Sequence, residues 1–193
     1  MNKKIPIHVV AFDMYGTLVY NEATQWHSTF DEIALSNSLA IDGRSLYTSW
    51  RTHEIKFREN RTNMEHPSES PAFRTYRDAW TQAFASTFSD LGLEGDPEDA
   101  TARCIHALGI RDTFSDVKPI IDNLSIDWNL SIISNADDSY LLPVLAANNW
   151  TANAQHSHFQ RVLSSERARA YKPGPRIFEQ FCEEASVTPD QVL

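Results

Sequence analysis

The sequence predicts an α/β fold, with a Rossmann-like parallel sheet as its core and an inserted helical cap subdomain. Short apolar, β-branched stretches alternate with helical patterns near both ends of the chain, as in a sheet that is buried on both faces. Between these ends lie four helical patterns in a row without a strand. We therefore predict a discontinuous core of residues 1–20 and 110–193, and a helical cap of residues 21–109.

The position of each element follows from its periodicity and from glycine and proline at its ends. In the core we expect strands at residues 7–13, 129–134 and 161–164, and helices at residues 117–124, 139–148 and 175–185. In the cap we expect helices at residues 23–39, 43–61, 72–91 and 96–108.

The last residues, 188–193, are typical of a loop that enters another apolar strand. Since a strand should follow the helix of a strand–helix unit, we expect one or more C-terminal strands of the core to be missing from this chain. The first strand would then form an exposed apolar edge, which favours aggregation. On this expectation the chain is a truncated form, unstable or poorly active on its own.

The composition excludes some classes of partner. A net charge of -9 and a pI near 5.2 leave no basic stripe for binding nucleic acid. No apolar segment approaches the length of a membrane span, and none resembles a signal peptide, so we expect a cytoplasmic protein. Cys104 and Cys182 match no metal-binding spacing and are typical of buried free thiols in a reducing compartment.

Polar residues follow three predicted core elements at the point where a strand ends or a helix begins. They lie in the segment Asp13–Thr17, in the pair Ser134-Asn135 and at Lys172. Each alone is more typical of a turn, a helix cap or a solvated charge. Because the carboxyl ends of parallel strands share one edge of a sheet, the three together predict an active site there.

The same residues resemble the first three motifs of the haloacid dehalogenase superfamily, in the segments Asp13–Leu18, Ile132–Asn135 and Tyr171–Pro173. Tyr15 stands where phosphatases of that superfamily have aspartate, which resembles the L-2-haloacid dehalogenase branch. The run that begins with Trp50-Arg51 and continues through Ile55, Phe57, Arg61 and Met64 resembles the cap helix that carries the substrate arginine of that branch. The fourth motif of the family is absent from this sequence.

The resemblance implies that Asp13 is a nucleophile that attacks C2 of a 2-haloalkanoate with inversion. Thr17 would orient the carboxylate of Asp13, and Lys172 would keep that carboxylate ionised. Tyr15 would pack at the entrance of the site and contact the substrate.

Four further expectations follow from the resemblance. Ser134 and backbone amides of the Asp13 loop would bind the substrate carboxylate. Arg51 and Asn135 would receive the departing halide. The reaction would need no cofactor. The partner would be a small anionic substrate, with neither nucleic acid nor a membrane, and a homodimer is left open.

The residue at position 15 indicates which kind of leaving group the site can accommodate. A halide is a weak base that leaves without a proton, whereas an alkoxide leaving from a phosphate ester needs a general acid. Two alternatives stay open: a Mg²⁺-dependent small-molecule phosphatase with Asp13 as phosphoryl acceptor, and a truncated member with little or no activity. Trp26, Phe57 and Trp80 either set the pocket size or pack in the cap core.

Overall fold

The computed structural model describes residues 6–151 and 157–193. The chain forms two compact units, Met1–Tyr20 with Arg111–Leu193, and Asn21–Ile110. The chain thus leaves the first unit after Tyr20 and returns to it at Arg111.

The first unit contains a parallel three-stranded sheet in the order β1-β2-β3, which confirms the predicted α/β class. Its strands are β1 (Val9–Phe12), β2 (Asn129–Ser134) and β3 (Phe159–Ser164). Its helices are α5 (Val117–Leu124), α6 (Asp138–Ala147), the short α7 (Ser165–Ala168) and α8 (Pro175–Ala185). A 3-10 turn follows at Pro189–Gln191. The short helix α7 was not predicted, because its four residues are too few to show helical periodicity.

The outer edge of β1 is paired over part of its length, so it is less open than we expected. Val192 forms a parallel bridge with Val9, and the amide of Leu193 donates to the carbonyl of Val9 at 2.9 Å. The amide of Ala11 in turn donates to the carbonyl of Leu193 at 2.8 Å. The predicted entry into a further strand after residue 188 is therefore seen as a short parallel pairing with β1.

One face of the sheet packs against α8. Val9, Ile133 and Leu163 come from the three strands and contact Ile177 and Phe181 of α8. All five are at most 6% exposed. Burying large aliphatic and aromatic side chains of this kind stabilises a fold by about 1.5–3 kcal/mol each. The helix therefore fixes the sheet whose carboxyl edge carries the predicted site.

The second unit is helical and has its own core. It consists of α1 (Ala23–Ser36), α2 (Gly43–Asn60), α3 (Tyr76–Leu91) and α4 (Pro97–Gly109), with a 3-10 turn at Pro67–Glu69. Phe30, Trp50 and Phe84 are almost fully buried and their rings lie 5.2–5.5 Å apart. Trp80 is also buried, which supports core packing, whereas Trp26 and Phe57 are half-buried.

Two cap helices are shorter than predicted by three residues or more because polar side chains cap them. The α3 helix begins at Tyr76 rather than at residue 72, since the Thr75 hydroxyl accepts a hydrogen bond from the amide of Asp78 at 3.0 Å. The α1 helix ends at Ser36 rather than at residue 39, where the side chain of Asn37 donates to the carbonyl of Ile33. Within the described part of the chain, no helix combines the length and apolarity needed to cross a bilayer.

Candidate active site

The pairing of β1 with β2 brings Asp13 and Ser134 together. The two strands run parallel with Phe12 opposite Ile132, so the residues that follow share one edge of the sheet. The hydroxyl of Ser134 donates to Oδ1 of Asp13 at 3.0 Å. We expected Ser134 to bind the substrate carboxylate, but in this structure its hydroxyl holds the predicted nucleophile.

Lys172 reaches the same oxygen from the loop before α8. Its Nζ lies 2.9 Å from Oδ1 of Asp13 and donates to the carbonyl of Ile133 at 2.6 Å. This carbonyl, which the sequence analysis did not single out, fixes the ammonium group beside the carboxylate. A charge-assisted contact of this kind is shorter and stronger than one between neutral groups.

Asn135 holds the backbone of Lys172. Its side-chain amide donates to the carbonyl of Lys172 at 2.9 Å, and its side-chain oxygen accepts from the amide of Lys172 at 2.7 Å. We predicted that Asn135 receives the halide, and the structure gives its side chain a different set of partners. The two bonds tie the loop of Lys172 to the end of β2.

The second oxygen of Asp13 is open. Among the described residues, nothing makes a hydrogen bond to Oδ2, and the side chain of Asp13 is 43% exposed. A cavity of about 360 Å³ has Asp13 and Lys172 as its charged lining residues. Its other walls are mostly apolar and include Phe178, Phe181 and Cys182. One oxygen is thus anchored, the other has no hydrogen-bond partner among the described residues, and the residue borders space for a small molecule.

Tyr15, two residues after Asp13, is a neutral phenol. Its hydroxyl donates to the carbonyl of Tyr140 at 3.1 Å, and the two rings meet edge to face at 5.5 Å. Burial, the largest cause, raises the pKa of Tyr15 well above its ordinary value near 10. The charge of Arg111 opposes that rise and the charge of Asp13 adds to it, both more weakly. The phenol therefore has little capacity to give up its proton.

The turn after Asp13 places Thr17 at the surface. Gly16 has φ of +83°, a conformation that favours glycine, and its amide donates to the carbonyl of Val19 at 2.8 Å. Thr17 is exposed, and among the described residues its hydroxyl makes no hydrogen bond with Asp13. The orienting contact that we predicted for Thr17 is therefore not present in this structure.

Arg51 belongs to the helical unit, where it is paired with a residue that the sequence analysis missed. Its guanidinium forms an ion pair with Glu54, which is only 4% exposed, and Nε of Arg58 lies 3.4 Å from the other oxygen of Glu54. Burial, followed by the nearby charge of Arg58, lowers the pKa of Arg51 below its ordinary value. The spacing of three and four residues along α2 is the signal that could have revealed this cluster.

Within the described residues, no group of three or more His, Cys, Asp or Glu side chains is arranged to hold a metal ion. Cys104 and Cys182 are free thiols, the first buried and the second partly exposed.

A family model for haloacid dehalogenase-like hydrolases matches residues 7–193. The chain belongs to the haloacid dehalogenase-like hydrolases. Within this family it is similar to (S)-2-haloacid dehalogenase 1 of Pseudomonas sp. (strain CBS-3), with 24% identity over 192 residues. The match covers 97% of this chain and 74% of the relative. The predicted resemblance to the L-2-haloacid dehalogenase branch is confirmed at this modest identity.

Solved structures of the hydrolase family share the fold. The L-2-haloacid dehalogenase of Xanthobacter autotrophicus, with chloropropionic acid covalently bound, has a TM-score of 0.68 at 23% identity. That match covers 96% of this chain and 68% of the other. A putative hydrolase of the superfamily from Bacillus subtilis, bound to magnesium, has a TM-score of 0.72 at 13% identity, with 93% and 74% covered. A similar fold thus occurs both in a dehalogenase and in a magnesium-bound putative hydrolase, so the fold alone does not identify the reaction.

Proposed function

We propose that this hydrolase cleaves the carbon–halogen bond of a small 2-haloalkanoic acid, with Asp13 as nucleophile. The observation that carries the proposal is the asymmetry of the Asp13 carboxylate beside a cavity. Ser134 and Lys172 hold Oδ1, Oδ2 makes no hydrogen bond among the described residues, and Asp13 lines the cavity. A carboxylate fixed in this way is pre-positioned to attack a carbon atom in line with a leaving group.

The reaction balances without a cofactor. An oxygen of Asp13 forms a bond to C2 of the substrate, and the halide leaves with the electron pair of the carbon–halogen bond. Water then attacks the carbonyl carbon of the aspartyl ester, and the bond between that carbon and the ester oxygen breaks. The products are a 2-hydroxy acid, a halide ion, a proton and the free carboxylate of Asp13.

Tyr15 favours this reaction over phosphate-ester hydrolysis. A general acid for an alkoxide leaving group must release a proton near neutral pH. The raised pKa of Tyr15 and its hydrogen bond to the carbonyl of Tyr140 oppose proton release. A halide needs no proton, so a neutral phenol at this position is compatible with its departure.

The other assignments are also part of the proposal. Lys172 supplies positive charge for a small anionic substrate, and Arg51 is the group that receives the halide. Asn135 acts in this proposal through Lys172, whose backbone it holds. The two free thiols support a reducing compartment, and we infer that the protein acts in the cytoplasm.

The test combines halide release with an isotope label. The full chain is incubated with 2-chloropropionate and with p-nitrophenyl phosphate, each with and without EDTA. We expect chloride release that EDTA does not change. After a single turnover in ¹⁸O-labelled water, we expect the label in the peptide that contains Asp13, because water attacks the aspartyl carbonyl.

The matched variants are Asp13→Asn and Asp127→Asn. The first replaces the nucleophilic oxygen by an amide, and we expect turnover to fall on the order of 10³-fold or more. The second makes the same change at an exposed position of the same unit, and we expect unchanged turnover. Phosphate release that EDTA abolishes, or label found only in the product, would contradict the proposal.

A further inference from the structure

The buried carboxylate of Glu54 has no part in the reaction described above. Glu54 lies on α2 of the helical unit and is 4% exposed, whereas its partners Arg51 and Arg58 are 31% and 44% exposed. Transferring a carboxylate out of water is costly unless cations compensate it. Solubility alone therefore does not explain why the carboxylate of Glu54 is buried between two guanidinium groups.

The geometry of α2 makes Arg51 and Glu54 one unit. Glu54 follows Arg51 by three residues and precedes Arg58 by four, so all three side chains lie on one face of the helix. Arg51 contacts one carboxylate oxygen and Arg58 the other. The guanidinium of Arg51 is thereby held at a fixed place, and its charge is partly neutralised.

We propose that Glu54 is a positioning residue for Arg51 that also weakens the binding of anions to it, so that a halide is taken up and then released. This rests on the proposed function, in which Arg51 receives the halide. The three groups together carry one net positive charge, which still attracts an anion. Without Glu54 the charge would be two, and a halide would be held more tightly.

The proposed role and a merely structural role of Glu54 predict opposite changes in anion affinity when its charge is removed. If Glu54 only stabilised the helix, replacing it would loosen Arg51 and weaken anion binding. If Glu54 offsets the charge of Arg51, Glu54→Gln should strengthen anion binding, because glutamine keeps the shape and a hydrogen-bond acceptor but lacks the charge.

The experiment measures chloride binding directly, through the broadening of the ³⁵Cl nuclear magnetic resonance line in the folded full-length chain. We expect Arg51→Met to remove the chloride-dependent broadening and E54Q to lower the chloride dissociation constant about two- to fivefold. In the turnover assay, the inhibition constant of chloride should fall by the same factor. The matched control is Glu59→Gln, the same change at an exposed position of α2, which should leave both values unchanged.

An E54Q protein that folds and binds chloride with wild-type or weaker affinity overturns the assignment of Glu54. If E54Q does not fold, R58Q takes its place, with K56Q as the charge-matched control at an exposed position of α2. In R58Q the charge of Glu54 falls on Arg51 alone, so chloride should bind more weakly to R58Q than to K56Q, and equal binding overturns the assignment. Failure of the proposed function is a separate result, seen as absent chloride release from 2-chloropropionate. If the Arg51 variant loses the chloride-dependent line broadening but E54Q binds chloride like wild type, only the proposed role of Glu54 is refuted.

Discussion

At the scale of single residues, the site depends on which neighbouring groups contact each of the two carboxylate oxygens of Asp13. Ser134 and Lys172 both contact Oδ1, from the end of β2 and from the loop before α8. Two donors from different elements restrict the rotation of the carboxylate more than one donor would. The carboxylate is therefore oriented by one group at the end of a strand and one in a loop, and for the proposed nucleophile such an arrangement favours precise reaction geometry.

Tyr15→Phe should change the response of the protein to alkaline pH. At neutral pH the variant lacks the hydrogen bond to the carbonyl of Tyr140, and we expect the free energy of unfolding to fall by about 1 kcal/mol. Above pH 10 the difference between the two proteins should shrink. The measurement is urea unfolding of both proteins at intervals from pH 7 to pH 11, followed by circular dichroism.

The sign follows from the raised pKa of Tyr15 in the folded state. Its contribution to stability is complete below the unfolded pKa near 10. Above that pH the unfolded chain releases the proton while the folded chain keeps it, so wild type loses about 1.4 kcal/mol for each pH unit. Phenylalanine has no proton to release. A constant difference between the two proteins from pH 7 to pH 11 would show that Tyr15 ionises equally in both states.

The sequence reveals residues at strand ends better than residues whose partners come from distant loops. Asp13, Ser134 and Lys172 were predicted to meet because parallel strands end at a common edge, and the structure brings them together. Asn135 could not be assigned in the same way, since a side-chain amide serves a ligand or a backbone equally well. The two hydrogen bonds from the side chain of Asn135 to the backbone of Lys172 join it to a loop 37 residues further along the chain.

At the scale of elements, periodicity located the helices and side-chain capping decided where they begin and end. The strand Asn129–Ser134 and the helices Val117–Leu124 and Pro175–Ala185 have their predicted bounds. The start of α3 was predicted four residues too early, because Ala72 and Phe73 continue the apolar pattern whereas Thr75 caps the helix. Capping competes with periodicity at helix ends, so boundaries are less predictable than interiors.

Gly43→Ala tests the contact between α1 and α2. Helix propensity favours alanine over glycine by about 1 kcal/mol in a helix interior, which is an upper bound for Gly43 at the first position of α2. A Cβ atom at position 43 would, however, lie 2.2 Å from the backbone nitrogen of Asp31, and the amide of Gly43 already bonds to the Asp31 side chain at 2.7 Å. Backbone cannot move aside easily, so we expect a net loss of about 1–3 kcal/mol in unfolding free energy.

The control for Gly43→Ala is Arg44→Ala, the neighbouring exposed position on α2. This change leaves the close approach intact, and we expect the unfolding free energy to stay within about 0.5 kcal/mol of wild type. Both are measured by denaturant unfolding of the full chain. A Gly43→Ala protein more stable than wild type would show that propensity outweighs the contact.

At the scale of the whole molecule, the helical unit is an uninterrupted insertion into a chain whose two ends form the sheet. Within the first unit, the amide of Tyr20 donates to the carbonyl of Asp112 at 3.0 Å, and the amide of Phe114 donates to the carbonyl of Leu18 at 3.2 Å. The two points at which the chain leaves and re-enters this unit are therefore hydrogen-bonded neighbours. An insertion between such points need not disturb the fold that receives it.

The last prediction is that residues 21–110, expressed alone, fold cooperatively. The segment is contiguous and buries Phe30, Trp50 and Phe84 against one another. At this length a chain can bury enough surface to fold unaided. We expect a helical far-ultraviolet spectrum, a near-ultraviolet signal from packed tryptophans and a single thermal transition. Phe84→Ala should weaken or abolish that transition, because it removes a fully buried ring at a cost of about 3–5 kcal/mol. A helical segment without near-ultraviolet signal or cooperative melting would show that the aromatic cluster needs the sheet-containing unit in order to pack.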